Sequence, residues 1–143
     1  MFSKEESRLL RQEFWTSFGK SFPRKWILYN TKIKGLSFKF YFDTKKAFVS
    51  LDLEDHHLEN RINCWEKLVS LKTILIDEYL PEAKFEEEFY LDNGKDISRV
   101  SVSLNQRVSI HNKSTWHDTM VFFNTQMRIF EDFFETYKDI IKT

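Results

Sequence analysis

Residues 47–57 read AFVSLDLEDHH, and Asp52, Glu54, Asp55, His56 and His57 crowd the end of that stretch. On an extended segment, Asp52 and Glu54 stand at i and i+2, so both side chains leave the same side of the strand. Two such carboxylates could share a divalent cation. A Mg²⁺ ion held there would orient water and stabilise charge on a phosphoryl group, which is nuclease chemistry. Such a site needs a further charged group from a neighbouring strand, and Lys39 is the candidate. The same residues also have a purely structural use. The polar side of a strand ends at Glu54, and Asp55 then caps a helix whose first turn favours acids. The structural use is the expectation here: catalysis absent and no cofactor, with Mg²⁺ entering only if Asp52, Glu54 and Lys39 form a nuclease site.

Other chemistry finds less footing. His56 and His57 are adjacent and diverge on any regular element, and His111 and His117 have no cysteine near them, so zinc is not indicated. Cys64 is the lone cysteine, so no thiol pair exists, and its place beside Trp65 on a helical apolar side marks a packed thiol. Neither a G-x-S-x-G elbow nor a glycine-rich phosphate loop occurs among only 3 glycines.

The basic stretch from Lys20 to Lys46 is a second lead. Arg24, Lys25, Lys32, Lys34 and Lys39 are interleaved with Trp26, Tyr29 and Tyr41, against the single acid Asp43. Cations that neutralise phosphates beside rings that stack on bases make a DNA or RNA surface. The candidate contacts are Arg24, Lys25, Lys32, Lys34, Lys39 and Tyr41. The alternative is a solvated strand face with its rings in the core. The net charge is zero, yet residues 1–46 carry +7, residues 47–96 carry −8 and residues 97–143 carry +1. That segregation suits either a nucleic-acid surface or basic strands lying beside acidic helices.

The elements that must position these groups follow from periodicity. A first helix is expected over SKEESRLLRQEFWTSFG, with Ser3 and Glu6 at capping-box spacing and Gly19 as the stop. KWILYNTKI has strand composition. SFKFYFD and KAFVSLDLE alternate cleanly, and a turn at Thr44-Lys45 sets Phe42 opposite Ala47, Phe40 opposite Val49, Phe38 opposite Leu51 and Ser37 opposite Asp52. Lys39 then lies diagonal to Asp52. A long helix is expected from Asp55 to Tyr79, capped by Asp55 and ended by Pro81. A second hairpin turns at Asn93-Gly94, setting Phe85 opposite Val102 and Glu88 opposite Arg99. RVSIHN adds a short strand. FEEEF is an edge-strand guard. The last helix carries Met120, Phe123, Met127, Phe130, Phe134, Tyr137 and Ile141 at helical spacing, with Thr115 and Asp118 to cap it. A second apolar stripe, Phe122, Ile129, Phe133 and Ile140, packs on another layer or joins two copies as a homodimer through this C-terminal helix.

Hydrophobic residues make up 41% of 143 residues, aromatics 17%, with 15 Phe, which is enough for one core and one domain, 1–143. The charged start MFSKEESRLLRQEF lacks a signal peptide's apolar stretch, and no apolar run approaches the ~20 residues that span a bilayer. A soluble cytoplasmic protein without a membrane partner is expected. The fold class is α+β, a mostly antiparallel sheet with helices in the order α-β-β-β-α-β-β-(β)-α.

FWTSFGK, YNTKIKGLSFKFYFD, DNGKDISR and the closing W-x-x-x-x-x-FF helix resemble a small bacterial family of unknown function, found alone and appended to restriction-type proteins. The element order is similar to a restriction-endonuclease-like core. That resemblance implies a metal-binding acid at Asp52, while Glu54 stands where such nucleases carry lysine, and GLSF replaces the acid usual early in the second strand. These departures imply a non-catalytic relative that contacts nucleic acid weakly. A protein-interaction or self-association module is the alternative, and a metal-dependent nuclease is the third.

Overall fold

The computed structural model describes residues 1–142. Helix α1, Lys4–Ser21, starts with the capping box expected of it: Ser3 Oγ accepts from the Glu6 amide and the Glu6 carboxylate from the Ser3 amide. The helix passes Gly19 by two residues before Pro23, and it buries Phe14 and Phe18.

Strands β1, Leu36–Phe42, and β2, Ala47–Leu53, form the first hairpin in the expected register, with Phe38 opposite Leu51 and Ser37 opposite Asp52. With β3, Lys84–Tyr90, and β4, Asp96–Ser103, they make one antiparallel sheet ordered β1-β2-β4-β3. Every second residue points to the helices: Phe38, Val49, Leu51, Leu53, Val100 and Val102 are all buried. Helix α4, Trp116–Lys142, lays its main stripe on that side, and Phe38 meets Phe130 and Phe134 at ring distances of 5.3 and 5.5 Å. Burying each such ring stabilises the fold by about 1.5–3 kcal/mol. Part of the second stripe of α4 packs within the chain, with Phe133 5.4 Å from Tyr79 and Phe122 and Ile129 against the core, while Ile140 is exposed.

Five expectations need correction. Residues 25–33 form no strand: Leu28 and Lys32 have φ of 47° and 65°, left-handed values that no strand accommodates. Side-chain bonds hold this loop where a ladder was expected. Thr31 Oγ1 donates to the Leu36 carbonyl at 2.8 Å, and Glu131 Oε2 accepts from the Ile27 amide at 2.7 Å. Two strands, not three, therefore separate α1 from the next helix. The helix expected over 55–79 is two, α2 Leu58–Ser70 and α3 Lys72–Glu78, broken at Leu71. Asp55 is not its cap. The N-cap is His57, without a side-chain bond, while Asp55 Oδ1 accepts from the His57 amide at 2.9 Å. Asp55 packs under Gly35, whose φ is +80° and where a Cβ would lie 2.9 Å from the Asp55 nitrogen, so no other residue fits there without displacement.

The second hairpin is slipped relative to expectation. Phe85 faces Val100 and Glu86 faces Arg99, then a bulge between Glu86 and Phe89 shifts the register so that Phe89 faces Ile97. A bulge adds an unpaired residue and twists the strand, which also blunts this edge of the sheet. Residues 107–112 form a loop, pinned where the Trp116 indole donates to the Ile110 carbonyl at 3.1 Å. A 3₁₀ turn, Lys113–Thr115, precedes α4 and is capped by Asn112, while Thr115 bonds back to the Ser109 carbonyl. Among the described residues no helix is long and apolar enough to cross a membrane.

Candidate functional site

Strand alternation that sends apolar residues to the helices sends the others to the opposite sheet face. Lys39 and Tyr41 come from β1, Phe48, Ser50 and Asp52 from β2, and Ile97, Arg99 and Ser101 from β4. Asp52 is opposite Arg99 in the ladder, and the pair is bidentate: Arg99 Nε donates to Oδ1 and Nη2 to Oδ2, both at 2.8 Å. Lys39 Nζ lies 3.4 Å from Asp52 Oδ2 and 2.7 Å from Glu54 Oε2, and Lys95 Nζ lies 3.3 Å from Glu54 Oε1. Asp52 is wholly buried under these cations. Phe48 and Phe89 pack on the Arg99 guanidinium, 5.0 and 4.3 Å from its carbon. Tyr41 stacks in parallel on Phe48 at 4.6 Å.

Electrostatics keep the network charged. Burial works against the Lys39 ammonium, but the hydrogen bond to Glu54 and the Asp52 charge outweigh it and raise its pKa above the ordinary lysine value. Burial works against the Glu54 carboxylate too, and the bond from Lys39 outweighs it, holding that pKa below the usual value. The hydrogen bond from Tyr41 to Asp43 Oδ2, 2.7 Å, pushes the phenol up to about 12, with burial adding to it.

Asp52, Glu54 and Lys39 are thus brought together, as the hairpin register requires. Their arrangement is an ion network and not an open cradle for a cation, because each oxygen of Asp52 already accepts from Arg99. Among the described residues no group of three or more His, Cys, Asp or Glu side chains stands ready for a metal ion. The Cys64 thiol is half-buried, and burial pushes it up to about 11, so it is a thiol at neutral pH. His111 accepts or donates at 2.8 Å with Ser7 Oγ and stacks on Phe2.

The basic candidates divide among several surfaces. Arg24 pairs with buried Glu131 at 3.1 Å, Lys25 is exposed, and Lys39 and Tyr41 belong to the sheet face just described. Lys32 and Lys34 lie elsewhere. Lys32 borders a hollow of about 320 Å³ with Asn30, Lys138, Lys142 and the acids Glu135 and Asp139, and Lys34 borders one of about 250 Å³ with Asp55, Asn60, Asn63, Lys67 and Lys142. The two hollows share Ile33 and Lys142, so the lysines of the loop, of α2 and of the end of α4 converge. Lys138 is paired with Glu135 at 2.8 Å. Periodicity alone did not mark Lys67, Lys138 or Lys142, which are far from the basic segment in the chain. Arg99 was also missed as the partner of Asp52. The central strand pair would have revealed it, but no local signal announces that pairing.

A model of the family described as Domain of unknown function (DUF4268) matches residues 10–138. The chain belongs to this family. The match runs from within α1 to most of α4, and so takes in both the ion network and most of the lysine cluster. No curated protein and no solved structure matched the chain.

Proposed function

We propose that this domain is a non-catalytic nucleic-acid-binding module that grips the phosphate backbone through Lys32, Lys34, Lys67 and Lys142. The observation that carries this reading is the convergence of those lysines and Lys138 around two adjoining hollows, five lysines against the three acids Asp55, Glu135 and Asp139, with Asn30, Asn60 and Asn63 as neutral donors beside them. Lysines of this kind neutralise phosphates without reading bases, so binding is weak, indifferent to sequence and steep in salt. The reading carries no metal chemistry, because the acid that would hold Mg²⁺ is engaged by Arg99.

The test is a titration of labelled duplex and single-stranded DNA and RNA at low and moderate salt. About four lysine contacts give a log–log salt slope near −3 to −4 on duplex. Lys32→Glu combined with Lys34→Glu is expected to weaken binding about tenfold or more on every sequence alike. Absence of binding at low salt, or an unchanged double variant, rejects the reading. Plasmid incubated with the protein and Mg²⁺ or Mn²⁺ is expected to stay intact. Cleavage that disappears in Asp52→Asn would make the domain a nuclease instead.

A further inference from the structure

A different hollow, of about 280 Å³, opens on the sheet face and shares no residue with the lysine cluster. Its lining comes from both hairpins: Lys39, Tyr41, Lys46 and Phe48 from the first, and Phe89, Tyr90, Asp92 and Arg99 from the second. We propose that it is a binding site for a single nucleotide unit, a planar base carrying a phosphate.

Three features point to that class. The first is a rigid cation. Nε and Nη2 of Arg99 are committed to Asp52, and Phe48 and Phe89 pack on its guanidinium, so the group cannot swing. Its Nη1 makes no hydrogen bond among the described residues, and Arg99 forms part of the wall of the hollow. A guanidinium held in this way binds phosphate or carboxylate oxygens with little further loss of side-chain freedom. Lys39 and Lys46 add charge beside it.

The second feature is aromatic. Tyr41 is stacked on Phe48 and is still 38% exposed, and Tyr90 is 64% exposed on the opposite rim. Exposed ring faces beside fixed cations suit a planar ring that bears an anion, since every base has a face to stack. The third feature is Asp92, an acceptor on a rim of cations. It suits a donor at the far end of the ligand, such as an amino group or a sugar hydroxyl. The volume bounds the size. At about 280 Å³ the hollow lies at the small end of ligand sites, which leaves no room for a dinucleotide cofactor.

The buried ion pair gains a reason from this assignment. Two charges taken out of water give little net stability against an apolar pair of the same volume, so stability alone does not account for Asp52. Holding an arginine motionless beside open aromatic rings does.

The experiment is a titration of the whole chain with AMP, UMP, adenosine and inorganic phosphate, followed by chemical shifts of the Tyr41, Phe48, Phe89 and Tyr90 amides and the Arg99 Nε–H. AMP or UMP is expected to shift these signals with Kd of about 0.1–1 mM, and adenosine and phosphate alone to bind at least about tenfold more weakly. Tyr41→Ala and Lys46→Glu are each expected to weaken AMP about fivefold or more. Neither side chain hydrogen-bonds to Asp52 or Arg99, and an unchanged Arg99 Nε–H signal in the free variants is the check that the pair and the fold are kept. Lys32→Glu with Lys34→Glu is expected to leave AMP binding unchanged, which separates this site from the phosphate-gripping lysines. A short oligonucleotide that shifts the same signals more tightly than AMP would assign the site to one unit of a strand, and equal affinity would assign it to the free nucleotide. No shift in these signals at about 10 mM AMP would overturn the proposal, as would phosphate binding as tightly as AMP.

Discussion

Sealing a carboxylate completely from water costs several kcal/mol, and Asp52 recovers this only through its two bonds from Arg99 and the nearby Lys39. The cost therefore becomes visible when one partner goes and the other stays. Arg99→Met is expected to lose about 3–5 kcal/mol in urea unfolding, whereas Arg99→Met combined with Asp52→Leu should lose far less, because no charge is then stranded. A double variant as unstable as Arg99→Met alone would show that the two residues are not coupled. Half of this network was legible along the chain. Alternation and the first hairpin turn place Lys39 beside Asp52 without any knowledge of the remaining strands. Arg99 was not legible, because it joins Asp52 across 47 residues of chain, and the bulge in β3 slipped the only hairpin that could have fixed its place.

Among the elements, the loop before β1 is hydrogen-bonded to α4 through one side chain. Glu131 lies midway along α4 with 2% of its surface exposed, and it accepts from the Ile27 amide at 2.7 Å and from Arg24 at 3.1 Å. With Thr31 and the bond from the Phe38 amide to the Leu28 carbonyl, it holds the loop in which Leu28 and Lys32 take left-handed backbone, a conformation that costs energy for residues with a Cβ. Glu131→Gln exchanges a charged acceptor for an amide and is expected to cost about 1–3 kcal/mol. The Ile27 amide should then exchange with solvent faster, while amides in β2 keep their protection relative to global unfolding. Unchanged exchange at Ile27 would mean that the loop is held by something else. Elements with a clean period were readable in advance: α1 with its capping box, the first hairpin and α4. KWILYNTKI was not, since its β-branched and aromatic residues have strand composition while Thr31 and Glu131 engage the backbone donors and acceptors. The break at Leu71 was equally silent, because the apolar stripe of α2 runs on into α3 with no proline or glycine to mark it.

At the scale of the molecule, the wealth of phenylalanine foretold a ring-packed core, and Phe123 sits at its hub, within 5.1–6.5 Å of the rings of Phe14, Trp15, Phe18, Phe40 and Phe42. The charge segregation along the chain was legible, but its meaning was not, because folding spends Lys39 and Arg24 on buried acids and gathers other lysines from distant helices. The strand order β1-β2-β4-β3 has a further consequence, one for the time course of folding. Each hairpin closes a short turn, but the middle ladder between β2 and β4 must wait for residues 54–95 to be looped out. Each doubling of loop length adds about 0.6 kcal/mol of closure entropy, so the local ladders are favoured early and the middle one late. Pulse labelling during refolding should find β2 amides that bond to β1 protected before those that bond to β4. Simultaneous protection of both sets would mean that the sheet condenses in one step. Until that seam shuts, Asp52 has no Arg99 and the chain is two hairpins with a carboxylate still in water.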